Sequence, residues 1–214
     1  MGKPRPDVGK PRTDRVRPPQ GPPPPPSPPD AAMLHEAALA YLARYAATEA
    51  GLLRVLLRRI DRWSRQARDA GADRDVIQEQ TTGASAAARD AVARLTAAGA
   101  INDAAFAESR VRSLVRAGRS RRAIGAHLAA KGVGAEAQRR VLPATDADSE
   151  LAAALVLARR RRVGPFRLGD QPDAEGLRRE LAIFARAGFP QGVAQRALAF
   201  DPSEAEALVN QFRR

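Results

Sequence analysis

The sequence predicts an all-α fold, an elongated and curved array of three tandem three-helix repeats preceded by a disordered, proline-rich N-terminal tail. Three observations carry that prediction. First, residues 101–142 hold apolar positions at helical spacing, set between capping residues and glycine stops, in three short segments. None is long enough to be stable alone in water, so each needs neighbours. Second, the same phrase recurs on both sides. Thr48 with Leu52 and Leu56 repeats Ser120 with Ile124 and Leu128; Gly188-Phe189 with Val193 and Ala197 repeats Gly132-Val133 with Ala137 and Val141. Recurrence on that scale marks stacked helical units. Third, aromatic content is 4% and alanine dominates the apolar fraction, which suits thin helical layers better than one large core.

Residues 1–30 form the tail. Pro18-Pro19 and the run Pro22 to Pro26 remove backbone donors and fix φ, so polyproline II character is expected in place of helix or sheet. The first repeat spans 31–100. Its first helix carries Leu34, Ala38 and Leu42, with Tyr41 and Tyr45 four apart beside them. The second runs from Thr48 to about Arg68 through Leu52, Leu56, Ile60 and Trp63. Its opposite face presents Arg54, Arg58, Arg62 and Arg65 as a basic ridge. The stretch at about 69–84 is polar and glycine-punctuated, and a third helix with Ala88, Val92 and Leu95, closed by Gly99, follows it. Trp63 and the tyrosines are assigned to core packing ahead of base stacking.

The second repeat spans 101–143. Asn102 and Asp103 offer oxygens to the first turn of its opening helix, whose stripe is Ala104, Ala107, Val111 and Leu114. Gly118 ends that helix, Ser120 caps the next, Ile124 and Leu128 form its apolar face, and Gly132 stops it. After the link from Pro143 to Asp148, the third repeat spans 149–214. Leu151, Leu155 and Val156 lead to the block Arg159 to Arg162, whose charge complements a helix C-terminus. Gly164-Pro165 breaks the chain, and Leu177, Leu181 and Phe184 carry the next helix to Gly188. Asp201-Pro202-Ser203-Glu204 then starts a last helix with Leu208 and Phe212.

Net charge is +12 and the pI about 11.4, which favours polyanionic partners. Only Lys3, Lys10 and Lys131 are lysines, and an arginine excess alongside alanine, glycine and proline also follows from genome composition, so placement of the arginines decides the matter. The candidate basic surface comprises Arg58, Arg62 and Arg65; then Arg110, Arg112, Arg116, Arg119, Arg121, Arg122, Lys131, Arg139 and Arg140; then Arg159, Arg160, Arg161 and Arg162. Cysteine is absent, which excludes disulfides and thiolate–metal sites. His35-Glu36 lacks the second histidine of a zincin motif, Leu39 standing in its place, and His127 is the only other histidine. Gly132 to Ala137 matches a dinucleotide fingerprint on paper but follows a helix, so the required βαβ context is missing. No metal, no cofactor and no enzymatic activity are expected. With no apolar run of transmembrane length and no secretory signal, a cytoplasmic protein is expected, and its expected state is a monomer.

These residues also carry a family resemblance. INDAAFAESRVRSL from Ile101, with Gly118 four residues on and SRRAIGAHLAAKGV from Ser120, resembles the central signature of the RecX regulatory proteins; its structural positions are Asp103, Phe106, Gly118, Ser120, Ile124, Leu128 and Gly132. LHEAALAYLARYAATEAGLLRVL from Leu34 resembles that family's first repeat, and LRRELAIFARAGFP from Leu177 its third. The resemblance covers roughly Leu34 to Phe200 and would place an insertion at about 69–84. Ala104 and Ala105 stand where the family tends to place bulkier residues. The resemblance implies a non-enzymatic negative modulator of the RecA recombinase. Such a protein binds RecA–single-stranded DNA filaments in their groove, lowers ATPase and strand exchange, and has weak, salt-dependent affinity for single- and double-stranded DNA. Two other readings fit the residues: a DNA-binding helical-repeat protein acting without recombinase, and a scaffold that binds a partner helix.

Overall fold

The computed structural model describes residues 25–142 and 147–212, and every regular element among them is helical. The helices are α1 (Ala31–Leu42), α2 (Glu49–Asp69), α3 (Arg74–Ala97), α4 (Asp103–Arg116), α5 (Arg121–Lys131), α6 (Ala135–Val141), α7 (Ala147–Arg161), α8 (Ala174–Ala187), α9 (Gln191–Leu198) and α10 (Pro202–Phe212). A 3-10 turn, Gly164–Phe166, lies between α7 and α8.

Local chemistry sets these boundaries. Asp30, Thr48, Asp73, Asn102, Ser120 and Asp173 each accept a backbone N–H from the first turn of the helix they precede. Asp201 does the same for α10, accepting from Ser203 and Glu204. Gly132 and Gly188 close α5 and α8 in the left-handed region, at φ 85° and 84°.

The apolar faces gather into three principal clusters joined in series. Leu34, Ala38, Leu52, Leu56, Ile60, Ala88, Val92 and Leu95 unite α1–α3, with Ile101 completing them. Ala107, Val111, Val115, Ile124, Leu128, Val133 and Val141 unite α4–α6. The third cluster is the largest: Leu151, Leu155, Phe184, Phe189, Ala197 and Val209 draw α7–α10 around α7. Phe212, at the end of α10, packs back on the second cluster.

Three expectations are corrected. The stretch 69–84 does not precede the third helix but is mostly part of it: the turn is confined to residues 70–73, and Arg74 to Ala84 belong to the 24-residue α3. Asp73 caps that helix, and Ile77 and Ala84 are buried, so the polar residues occupy the outer face of a lengthened α2–α3 hairpin. The expected disorder of the tail lies, for residues 1–24, outside the described residues. Residues 25–30, however, are docked, because the buried Trp63 indole donates its N–H to the Pro26 carbonyl at 2.8 Å and Pro29 is buried beside it. Finally, the opening stripe of α4 is Ala107, Val111 and Val115, with Ala104 exposed and Leu114 half-buried.

Candidate functional site

Two matching junctions fix how the clusters sit on one another. At the first, the Thr48 hydroxyl that accepts from Gly51 N–H donates to the carbonyl of Lys131, the last residue of α5, at 2.6 Å. The next N–H, that of Glu49, is taken by Asp103 Oδ1 at 2.9 Å. At the second, Ser120 accepts from Ala123 N–H and donates to the carbonyl of Ala187, the last residue of α8, at 2.6 Å. Here the following N–H, of Arg121, is taken by the Glu150 carboxylate at 3.1 and 3.2 Å. In both, an N-cap hydroxyl reaches the end of the corresponding helix one unit further along, and an acid at the start of that unit's first helix satisfies an orphan donor. The glycine that follows each accepting carbonyl makes the approach possible. A methyl at Gly132 would run into Ala50 Cβ, and one at Gly188 would lie 2.9 Å from Ser120 Oγ. Gly118 is likewise pressed on α7, where a Cβ would come within 2.9 Å of Val156. Asp103, expected to cap its own helix, thus serves the neighbouring one, and Asn102 alone caps α4.

α5 runs from one junction to the other. The stem of Arg122 lies beside Gly188, while its carbonyls at Ala130 and Lys131 receive Arg54 and Thr48. Its 11 residues place the exposed Arg121 and Arg122 at one end, with Arg119 just before them, and the exposed Lys131 at the other, about 15 Å away along the axis.

The structure divides the predicted cations. Arg58, Arg62, Arg116, Arg119, Arg121, Arg122, Lys131, Arg160, Arg161 and Arg162 are exposed, and none makes a side-chain ion pair with a carboxylate among the described residues, although the charge of Arg121 reaches the Glu150 carboxylate that its own N–H bonds. The others are partly engaged. Arg65 pairs with Asp61, Arg112 with Glu108 at 4.0 Å, and Arg139 and Arg140 share Glu136 at 2.6 and 3.4 Å. The hydrogen bond from Arg139 and the charge of Arg140 hold the Glu136 carboxyl below its usual range. Arg159 is half-buried against Glu206 and Asn210 on α10, a structural role within its block. Arg110 lies over the Phe106 ring, 5.7 Å from its centroid. Burial first, then the charges of Arg110, Lys131 and Arg119, depress the pKa of His127. Among the described residues no group of His, Asp or Glu is arranged to hold a metal ion, and no helix is long and apolar enough to cross a membrane.

Sequence reasoning missed two features. Arg167 forms a bidentate pair with Glu180, at 3.0 and 2.7 Å, tying the 3-10 turn to α8. The residues are 13 apart, so no helical spacing announces them. The second is Arg44, between α1 and α2, which lines an open groove of 590 Å³ at the first junction with Tyr45, Asn102, Phe106, Ser109 and Arg110. Tyr45 is 57% exposed, against the core assignment, whereas Trp63 is buried and Tyr41 is half-buried on the first cluster.

Comparison with known proteins matches this arrangement. Residues 102–142 match the family model for the second three-helix domain of RecX. The regulatory protein RecX of Myxococcus xanthus (strain DK1622) is 42% identical over 171 residues, covering 79% of this chain and 86% of that protein. The regulatory protein RecX of Agrobacterium fabrum (strain C58 / ATCC 33970) is 36% identical over 111 residues, 52% of this chain and 58% of that one. Among solved structures, a regulatory protein RecX superposes with TM-score 0.54 at 19% identity, covering 78% of this chain and 70% of that chain. RecX from Lactobacillus salivarius superposes with TM-score 0.50 at 16% identity, over 83% and 97%. The two structures attest the fold, and the M. xanthus relative, similar across most of both chains, establishes that this chain belongs to the RecX family of regulatory proteins.

Proposed function

We propose that this protein is a non-enzymatic, monomeric negative modulator of the RecA recombinase. It binds RecA–single-stranded DNA filaments along their groove and lowers ATPase and strand exchange. The observation that carries this reading is the set of exposed cations at the two ends of α5, Arg119, Arg121 and Arg122 at one and Lys131 at the other, flanked by Arg58 and Arg62 on α2 and by Arg160 to Arg162 at the end of α7. Units joined in series present such cations at intervals, and a filament repeats its acidic features at intervals, so modest contacts add into avidity. Arginine forks suit both carboxylates and phosphates, and their exposure makes binding fall steeply as salt rises. Membership in a family of regulatory proteins supports the same reading.

The test is recombinase ATPase on single-stranded DNA with the wild-type chain and with Arg121→Glu/Arg122→Glu. Acidic residues suit the helix dipole where α5 opens, but Arg121 also lends its charge to Glu150, so melting temperature is followed with circular dichroism, and Arg58→Glu/Arg62→Glu on the exposed face of α2 serves as a second variant away from that junction. The wild-type chain should inhibit. The double reversal should need roughly tenfold more protein or worse, each charge-assisted contact being worth about 1 kcal/mol or more. A wild-type chain that leaves ATPase unchanged would end the proposal.

A further inference from the structure

The groove at the first junction joins features that the exposed cations of α5 do not need. Tyr45 stands 57% exposed in the connection between α1 and α2, its ring 5.1 Å from that of Tyr41 and tilted 43° to it. Tyr41 is anchored on the first cluster, so Tyr45 is braced from one side and open on the other. Across the groove, Phe106 carries the Arg110 guanidinium over its face. Arg44 stands beside Tyr45, and Ser109 and Ser113, one helical turn apart, add hydroxyls along α4. The rest of the lining is mainly alanine, which leaves flat apolar surface for a ring to approach, and the lining contains no carboxylate. The volume, 590 Å³, lies within the roughly 300–1,000 Å³ usual for small-ligand sites.

An aromatic face, two arginines and hydroxyls without any acid suit a planar, electron-rich ring that carries a phosphate. A basic patch alone would serve any polyanion; an exposed, braced tyrosine within it serves one whose rings are free to stack. Bases in a duplex are already stacked on each other, whereas those of a single strand are available. We infer that the groove formed by Arg44, Tyr45, Phe106 and Arg110 is a nucleotide-binding site for single-stranded DNA, in which one base stacks on Tyr45 and the adjoining phosphates meet Arg44 and Arg110. The inference deepens the filament reading by assigning the DNA strand to this groove, apart from the cations of α5.

The experiment uses the full chain without recombinase, so its outcome is separable from that of the ATPase assay. Fluorescence anisotropy would compare labelled oligo-dT of about 12 nucleotides with an abasic oligonucleotide of equal length and with the corresponding duplex, at moderate salt. The wild-type chain should favour oligo-dT over the abasic strand by about fivefold or more, one stacked base being worth about 1 kcal/mol or more. Tyr45→Ala should bring the two strands to parity by weakening oligo-dT alone, and Tyr45→Phe should keep the preference. Arg44→Ala with Arg110→Ala should weaken both strands. Exposure of Tyr45 keeps the alanine variant folded, which its melting temperature checks. Equal wild-type affinity for the abasic strand or the duplex would overturn the site, as would a preference that survives Tyr45→Ala. Binding of oligoglutamate with the same dependence on Tyr45 would reassign the groove to an acidic peptide and overturn it too.

Discussion

The two junctions obey one hydrogen-bonding rule and differ in how they are packed. At the second, Ser120 is wholly buried, Glu150 is 9% exposed, and Gly118 brings α4 directly against α7. At the first, Thr48 is as well buried, but Glu49 is exposed, Asp103 is half-exposed, and the 590 Å³ groove opens alongside. The polar contacts therefore set register between units, while the apolar contacts decide whether a junction is sealed or left with a cleft. The small residues Ala46, Ala47, Ala100 and Ala105 keep the first one open.

Glycine substitutions should separate the junctions most. Gly132→Ala forces a methyl against Ala50 in a left-handed conformation and should cost about 3 kcal/mol, conformational and steric penalties together. Gly188→Ala meets the movable Ser120 hydroxyl and should cost about 2 kcal/mol, read in both cases from urea midpoints. Next come the hydroxyls. Thr48→Ala and Ser120→Ala each remove a cap and a donor to a distant carbonyl, about 1–2 kcal/mol apiece. Thr48→Ser and Ser120→Thr should recover most of the loss only where the extra or missing methyl has room, and comparison of the two swaps shows which junction is tighter.

The smallest effect is a pH dependence peculiar to the sealed junction. Burial raises the pKa of Glu150 above 4.5, opposed by the hydrogen bond from Arg121 N–H and by that residue's charge. The folded state then holds this proton more readily than the unfolded state. The group's contribution is favourable at and below its unfolded value and is lost as pH rises through its folded value. Glu150→Gln keeps an oxygen for Arg121 N–H and removes the charge. Stability relative to wild type, followed by denaturant melts from pH 7 to pH 5, should show the variant at its greatest advantage at pH 7, shrinking as the wild-type carboxyl protonates.

Much of the fold was legible because helix ends are local chemistry. Thr48, Ser120, Gly132 and Gly188 stand out as caps and stops in the chain itself, and their spacing yields the recurring phrase. What they do to each other was not legible. Thr48 meets a carbonyl 83 residues away, and a capping signature looks the same whether its hydroxyl donates to water or to another unit. The arginines were legible as charge but not as free or engaged: Arg116 and Arg159 read alike until Glu206 and Asn210 come alongside the second. Tyr41 and Tyr45, four apart on one helical register, read as a pair. The helix ends between them at Leu42, so only the first stays on the core. The polar stretch before Ala84 misled because an outer helix face without an apolar stripe resembles a loop when read by periodicity alone.

The docking of Pro26 on Trp63 has a practical consequence. The chain has a single tryptophan, so its intrinsic emission reports on one place: the seam where the proline segment comes to rest against α2, beside Arg59 and Arg62. An indole shielded by prolines emits to the blue of one released into water. The unlabelled molecule thus carries its own gauge of whether residues 25–30 are seated or lifted, readable while a filament or an oligonucleotide is titrated in.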